Sequence, residues 1–432
     1  MYLKGSKWSM NRRRKRPNWF SIILLSLLVL GGAYVDRYII PYQPQYGVPS
    51  PTPTRAPESF IVEAEDYFKR GKLVPAIDSY QQAIASNPND PAPYVALAQV
   101  QVFQGQYKEA QNNAESAILL NNNSSMAYAV LGWALSFQGD YLEAENNVKQ
   151  ALLLDPNNAL AHAYYVEILV GYSFTPTAPF GAIEKAIEES RVAVSLAPDK
   201  LETYRARGII LEATGQYDEA IDQYKKAIEI NGNIADLHLA LGINYRVKGF
   251  YDLAITEFTN ANALNPDDPN PDLYLSRTYA TIGEFPQAMQ YAESAVANDP
   301  ANTRLRGNLG VMYYRNAYWE KSAKELGYVI NGGFTEDGKL LDAINLLPND
   351  ARLAEYYFTY GLALSRLNRC GEALDIVRML NERIPTDELA MENSAAIVTR
   401  CQQNLEQTPP PSFQTPPATA PVSPTATPTP KP

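Results

Sequence analysis

The chain has 432 residues, with 37 Lys+Arg against 47 Asp+Glu and a formal net charge of −10. That acidic balance argues against nucleic acid, whose binders carry basic stripes. Two His and two Cys, at His162, His238, Cys370 and Cys401, are too few and too scattered for a zinc cluster or a well-supplied Cys–His nucleophile pair.

The charge is unevenly spread. Residues 1–18 hold seven of the cations (Lys4, Lys7, Arg12, Arg13, Arg14, Lys15, Arg16) and no acid, so 30 cations face 47 acids in the rest, a net −17. An apolar run of 17 uncharged residues, Trp19–Val35, follows. It meets the lower limit of roughly 17–25 residues for a spanning helix. Trp19 and Tyr34 sit at interfacial positions, and the basic cluster stays cytoplasmic by the positive-inside rule. The expected layout is a basic cytoplasmic segment (1–18) and a transmembrane signal-anchor (19–35), with everything later outside the cytoplasm. A cleaved signal peptide is the rival, with Gly31-Gly32-Ala33 as its small-residue cut. A buried core helix fits poorly beside five adjacent cations.

Residues 36–57 carry six prolines and read as a semi-rigid polyproline stalk of up to roughly 70 Å. At the other end, residues 405–432 hold ten prolines, many Thr and, after Glu406, a single charge at Lys431. Such a tail has too little apolar surface to offset its ordering entropy and is expected to be disordered, either a glycosylated Thr-Pro stalk or a plain solvated one.

Residues 58–404 are periodic. A small residue recurs at Ala76, Ala110, Ala144, Ala186, Ala220, Ala254, Ala288, Ser322 and Ala373, in steps of 34, 34, 42, 34, 34, 34, 34 and 51. A glycine precedes most of them by five residues, a second small residue follows by seven, and a proline often by twelve. Each unit therefore reads as two helices. The glycine supplies the left-handed turn that ends the first, small residues let the two cross closely, and the proline ends the second. The fourth unit gains eight residues near 173–180 and the eighth is followed by 17 more near 331–348. A short helix before Pro348 and a local break in the array are expected there. Recognition loops and simple drift are both open readings of these insertions.

The columns resemble the tetratricopeptide repeat family. The best matches are Tyr128…Leu131-Gly132…Gly139…Ala144…Ala151…Pro156 and Leu241-Gly242…Tyr245…Gly249…Ala254…Phe258…Ala261…Pro266. The resemblance implies an all-α, right-handed superhelical solenoid of about nine helix pairs plus a capping helix, its concave face lined by first helices. It also implies a scaffold for protein or peptide partners. Concave positions carried over from the family are apolar in early units (Val95, Val102, Phe103, Met126, Trp133, Phe137) and basic in later ones (Arg205, Arg246, Arg277, Arg304, Arg315, Arg366). Such an arginine strip suits an acidic segment or a terminal carboxylate, since guanidinium binds carboxylate bidentately. Pairing with neighbouring glutamates is the alternative. The family's carboxylate clamp needs Lys and Asn where this chain has Ile61 and Glu65, or Val95 and Gln99, so that ligand is not supported.

His162 and His238 share one repeat position, where other units carry Tyr, and read as structural rather than metal-binding. Gly332-Gly333 lacks the rest of a phosphate loop, and no nucleophile elbow occurs. Cys370 starts a second helix and Cys401 ends the capping helix, so antiparallel neighbours bring them to one rim. A disulfide suits an oxidising compartment; two reduced thiols are the alternative. The expected protein is a membrane-tethered extracytoplasmic scaffold with a protein partner, no metal, no cofactor and no catalysis. An accessory role in envelope assembly is the second reading. A glycosyltransferase-type enzyme fails on space, because no segment of 100 residues remains outside the repeats.

Overall fold

The computed structural model describes residues 18–34, 37, 56–336 and 338–407. The basic segment, the stalk and the tail lie outside the described residues save for their boundary positions. Two units are described separately, residues 1–55 and 56–432.

The first unit holds α1 (Trp19–Tyr34), a 16-residue helix with exposed Leu24, Leu27, Leu28 and Leu30. At 1.5 Å per residue it measures about 24 Å, against a hydrocarbon core of about 30 Å. Among the described residues no helix is long and apolar enough to cross a membrane, so the expected spanning helix is not found there.

The second unit is an array of antiparallel helix pairs. They are α2 (Pro57–Lys69) with α3 (Leu73–Ser86), α4 (Pro91–Phe103) with α5 (Tyr107–Leu120), and α6 (Ser125–Phe137) with α7 (Tyr141–Leu154). Next come α8 (Ala159–Ser173) with α9 (Ala182–Leu196), α10 (Leu201–Ala213) with α11 (Tyr217–Ile230), and α12 (Ala235–Val247) with α13 (Tyr251–Leu264). Then follow α14 (Pro269–Thr281) with α15 (Phe285–Asn298), α16 (Thr303–Arg315) with α17 (Trp319–Asn331), and α18 (Ala351–Arg366) with α19 (Cys370–Arg383), before the final α20 (Glu388–Gln407).

Local chemistry sets the ends of these helices. Side chains of Asp90, Ser124, Asn158, Asp268, Asn302 and Asp350 accept the free amides of the first helices they precede. The turn inside each pair needs a left-handed residue, as at Gly139 with φ +85°. In the last two pairs Ala317 and Asn368 take that conformation, at φ +62° and +59°, so the turn survives without glycine. The close crossing is visible at Gly132, where a Cβ would stand 2.7 Å from the Ala144 carbonyl oxygen.

The insertion after α17 differs from expectation. Among its described residues there is no helix; β1 (Gly333–Phe334) pairs antiparallel with β2 (Leu340–Leu341) in a small hairpin. The array is not broken, because α18 packs on both α16 and α17. At the far end Cys370 and Cys401 are joined by a disulfide with 5.5 Å between alpha carbons, tying α19 to α20. Closing a loop of sequence separation 31 contributes roughly 3–4 kcal/mol in the chain-entropy model.

Turns far apart in sequence also meet. Asn231 Nδ2 donates to the Phe68 carbonyl at 3.0 Å across 163 residues, and a Cβ on Gly71 would lie 2.2 Å from Asn233 Nδ2. The fifth pair thus comes back onto the first, and the first helices between them face one another across a narrow interior.

Candidate functional site: an arginine pocket on the first-helix face

The sequence marked two stretches of this face, and the structure treats them differently. In the first half, Val95, Val102, Phe103 and Trp133 are buried and Phe137 is half-buried. Trp133 stacks on Tyr164 at 4.2 Å between centroids, takes Phe103 edge-on at 5.0 Å, and donates from Nε1 to Glu167 at 2.7 Å. Arg205 covers the cluster, with its guanidinium 5.9, 5.4 and 5.7 Å from the rings of Phe103, Trp133 and Phe137. Its Nη2 donates to Asp236 at 2.9 Å and its Nε lies 3.2 Å from Glu167. Burial pushes the Glu167 carboxyl up, and the charge of Arg205 and the Trp133 donor pull it back. An apolar patch on the concave face, offered as a binding surface, was expected here. The superhelix winds tightly enough that these residues, Arg205 included, are the core of its interior.

The second half is open. Arg246 from α12, Arg277 from α14, Arg315 from α16 and Arg352 from α18 line one cavity of about 230 Å³, each supplied by a successive first helix. Asn308, Met312 and Phe285 complete much of the wall. Glu355, bonded to Arg352, is the only acid among the described lining residues. The Nε–H groups of Arg246 and Arg277 are buried without an acceptor. Burial lowers the pKa of both guanidiniums and neighbouring arginines lower it further, Arg352 acting on each. Such crowding of like charge opposes folding, and an anion is the group that would relieve it.

Two of the expected arginines stay outside. Arg304 is exposed and stands 3.7 Å from Asp350, while Arg366 lies over the Trp319 ring at 5.3 Å. Arg352 was not singled out from sequence. Its helix has 16 residues against 13 in α16, so it starts one turn ahead of the repeat frame. The longer helix is the signal that would have found it.

Comparison with known families agrees with this architecture. Models described as "TPR repeat" match residues 64–105 and 210–247, and models described as "Tetratricopeptide repeat" match 127–158 and 239–303. The chain carries tetratricopeptide repeats. Similar solved structures include a tetratricopeptide repeat protein from Parabacteroides merdae, 16% identical, covering 59% of this chain and 98% of its own with a TM-score of 0.39. PilF of Pseudomonas aeruginosa is 19% identical, covers 48% of this chain and 91% of its own, and has a TM-score of 0.40. PilW, a type IV pilus biogenesis factor, is 20% identical with the same coverages and a TM-score of 0.41. No curated protein matches the chain.

Proposed function

We propose that this TPR chain is a scaffold that binds and does not catalyse, held at a membrane by its amino-terminal segment with the repeats outside the cytoplasm. Its arginine pocket captures an acidic segment of a partner protein. The observation that carries this is the convergence of Arg246, Arg277, Arg315 and Arg352 around a single glutamate. Carboxylates would satisfy the buried Nε–H groups and neutralise charge the fold leaves unbalanced. The tether is supported by the basic cluster ahead of an apolar helix whose leucines are exposed.

A synthetic glutamate-rich peptide tests the pocket. Arg246→Glu with Arg277→Glu should weaken its binding by about 100-fold, since two charge-assisted contacts at roughly 1.5 kcal/mol each are lost. Binding should also fall as salt rises, because exposed charge is screened over about 8–10 Å. The array itself should lose no stability, as like-charge crowding is relieved. Peptide affinity indifferent to both changes would remove the pocket as the site.

The tether has its own test. A reporter fused after residue 432 should be active only outside the cytoplasm, and cytoplasmic activity would overturn the topology.

A further inference from the structure

Beside the arginine pocket the same face holds a second, larger cavity of about 500 Å³. Its walls include Val170 of α8, Ile209 and Ala213 of α10, and Leu239, Ile243 and Val247 of α12. Polar groups also reach it, and most of them are already engaged, although Arg205 Nη1 is buried without an acceptor. Arg205 is held by Asp236 and Glu167, and Glu212 accepts from the Tyr224 hydroxyl at 3.1 Å and from Asn244 Nδ2 at 2.8 Å. Most of what the cavity offers a ligand is apolar surface, with Val247 half exposed and Phe174 at the rim 79% exposed.

The two cavities both draw on α12. Ile243 and Val247 line the apolar one while Arg246, between them in sequence, lines the charged one. Resting on the reading of the arginine pocket above, we infer that the partner segment is bipartite, an apolar anchor in the α8–α12 cavity joined to carboxylates in the arginine pocket. Charge complementarity fixes the acidic part, and the shared helix α12 fixes where the apolar part must lie. The apolar cavity is lined mostly by α10 and α12 and the charged one mostly by α14 and α16, two first-helix spacings apart, on the order of 20 Å. An extended chain covers that in five or six residues at roughly 3.3 Å each. The ligand is therefore an extended peptide with one or two large apolar residues about five positions from an acidic pair.

Three synthetic peptides decide this: acidic pair alone, apolar anchor alone, and both at a spacing of five. The joined peptide should bind the intact protein at least 10-fold more tightly than the acidic one. Val247→Ser should erase that gain while leaving the acidic peptide's affinity unchanged. Ala213→Trp should do the same by filling the cavity from an exposed position, without removing any core side chain. Equal affinity of the joined and acidic peptides, or a gain that survives Ala213→Trp, overturns the bipartite ligand and leaves the arginine pocket standing. Binding of the apolar peptide with none of the acidic one overturns both.

Discussion

Replacing Arg205 with alanine should lower the stability of the first five repeats by about 3–5 kcal/mol, the usual cost of removing one partner from a buried ion pair. Arg205 is only 5% exposed and stands between the Glu167 and Asp236 carboxylates. Its loss strands Glu167, which is buried beside Trp133, and opens a void beneath three aromatic rings. Packing is lost along with charge, because the arginine stem covers apolar surface. Arg205→Met should cost less than Arg205→Ala, and Arg205→Met with Glu167→Gln less again, since no buried charge is left unmatched there. Amide hydrogen exchange across α4–α12 is the suitable measurement, because repeat arrays open locally and one global midpoint hides where. Loss of less than 1 kcal/mol in Arg205→Ala would mean that the guanidinium is a solvated ornament of a groove after all.

That contrast explains what was legible in the sequence. The repeat phase was, because every pair must cross its helices closely and turn between them, and both demands recur at fixed positions such as Gly132 and Gly139. Composition along the first-helix face was legible too. Whether that face is solvent or core was not. It depends on the winding of the superhelix, the sum of small rotations over five pairs, which brings Asn231 to Phe68 across 163 residues. No single column records that sum, so Arg205 and Arg277 look alike in sequence and differ in fate. Ala317 shows another limit, as a left-handed turn stabilised by its surroundings tolerates a residue that local preference disfavours, whereas Asn368 suits that conformation. Arg352 escaped because a frame of 34 residues cannot register a helix that starts a turn early.

Raising the pH through the neutral range should destabilise the repeats around His162 and His238. His162 Nδ1 meets Glu189 Oε2 at 2.5 Å and its Nε2 meets the Pro156 carbonyl at 3.0 Å. His238 repeats the arrangement with Glu257 at 2.5 Å and the Gly232 carbonyl at 3.0 Å. Both nitrogens of each ring face an acceptor, so both must carry a proton, and the imidazolium is the form that fits. Arg306 occupies the same repeat position with a permanent charge, donating to the Pro300 carbonyl at 2.8 Å and to Glu325 at 2.9 Å. Burial pulls each histidine down, but the glutamate and carbonyl bonds outweigh it and the folded pKa is raised above 6.5. The sign follows from linkage. A raised pKa contributes stability that is complete below about 6.5 and is lost as pH climbs through the folded value. On the acid side Glu189 is held below its ordinary range by His162 and Lys185, against the effect of burial, so its share is lost only as pH falls through that lowered value. Hydrogen exchange in α8–α9 and α12–α13 should therefore quicken, beyond the intrinsic effect of base, as pH rises above about 6.5. His162→Arg with His238→Arg should remove that dependence by reproducing the Arg306 arrangement, while His→Gln at both positions should flatten it by losing the stabilisation already at pH 6. An unaltered slope in the double-arginine variant would show that the histidines are neutral and that the pairs are ordinary hydrogen bonds.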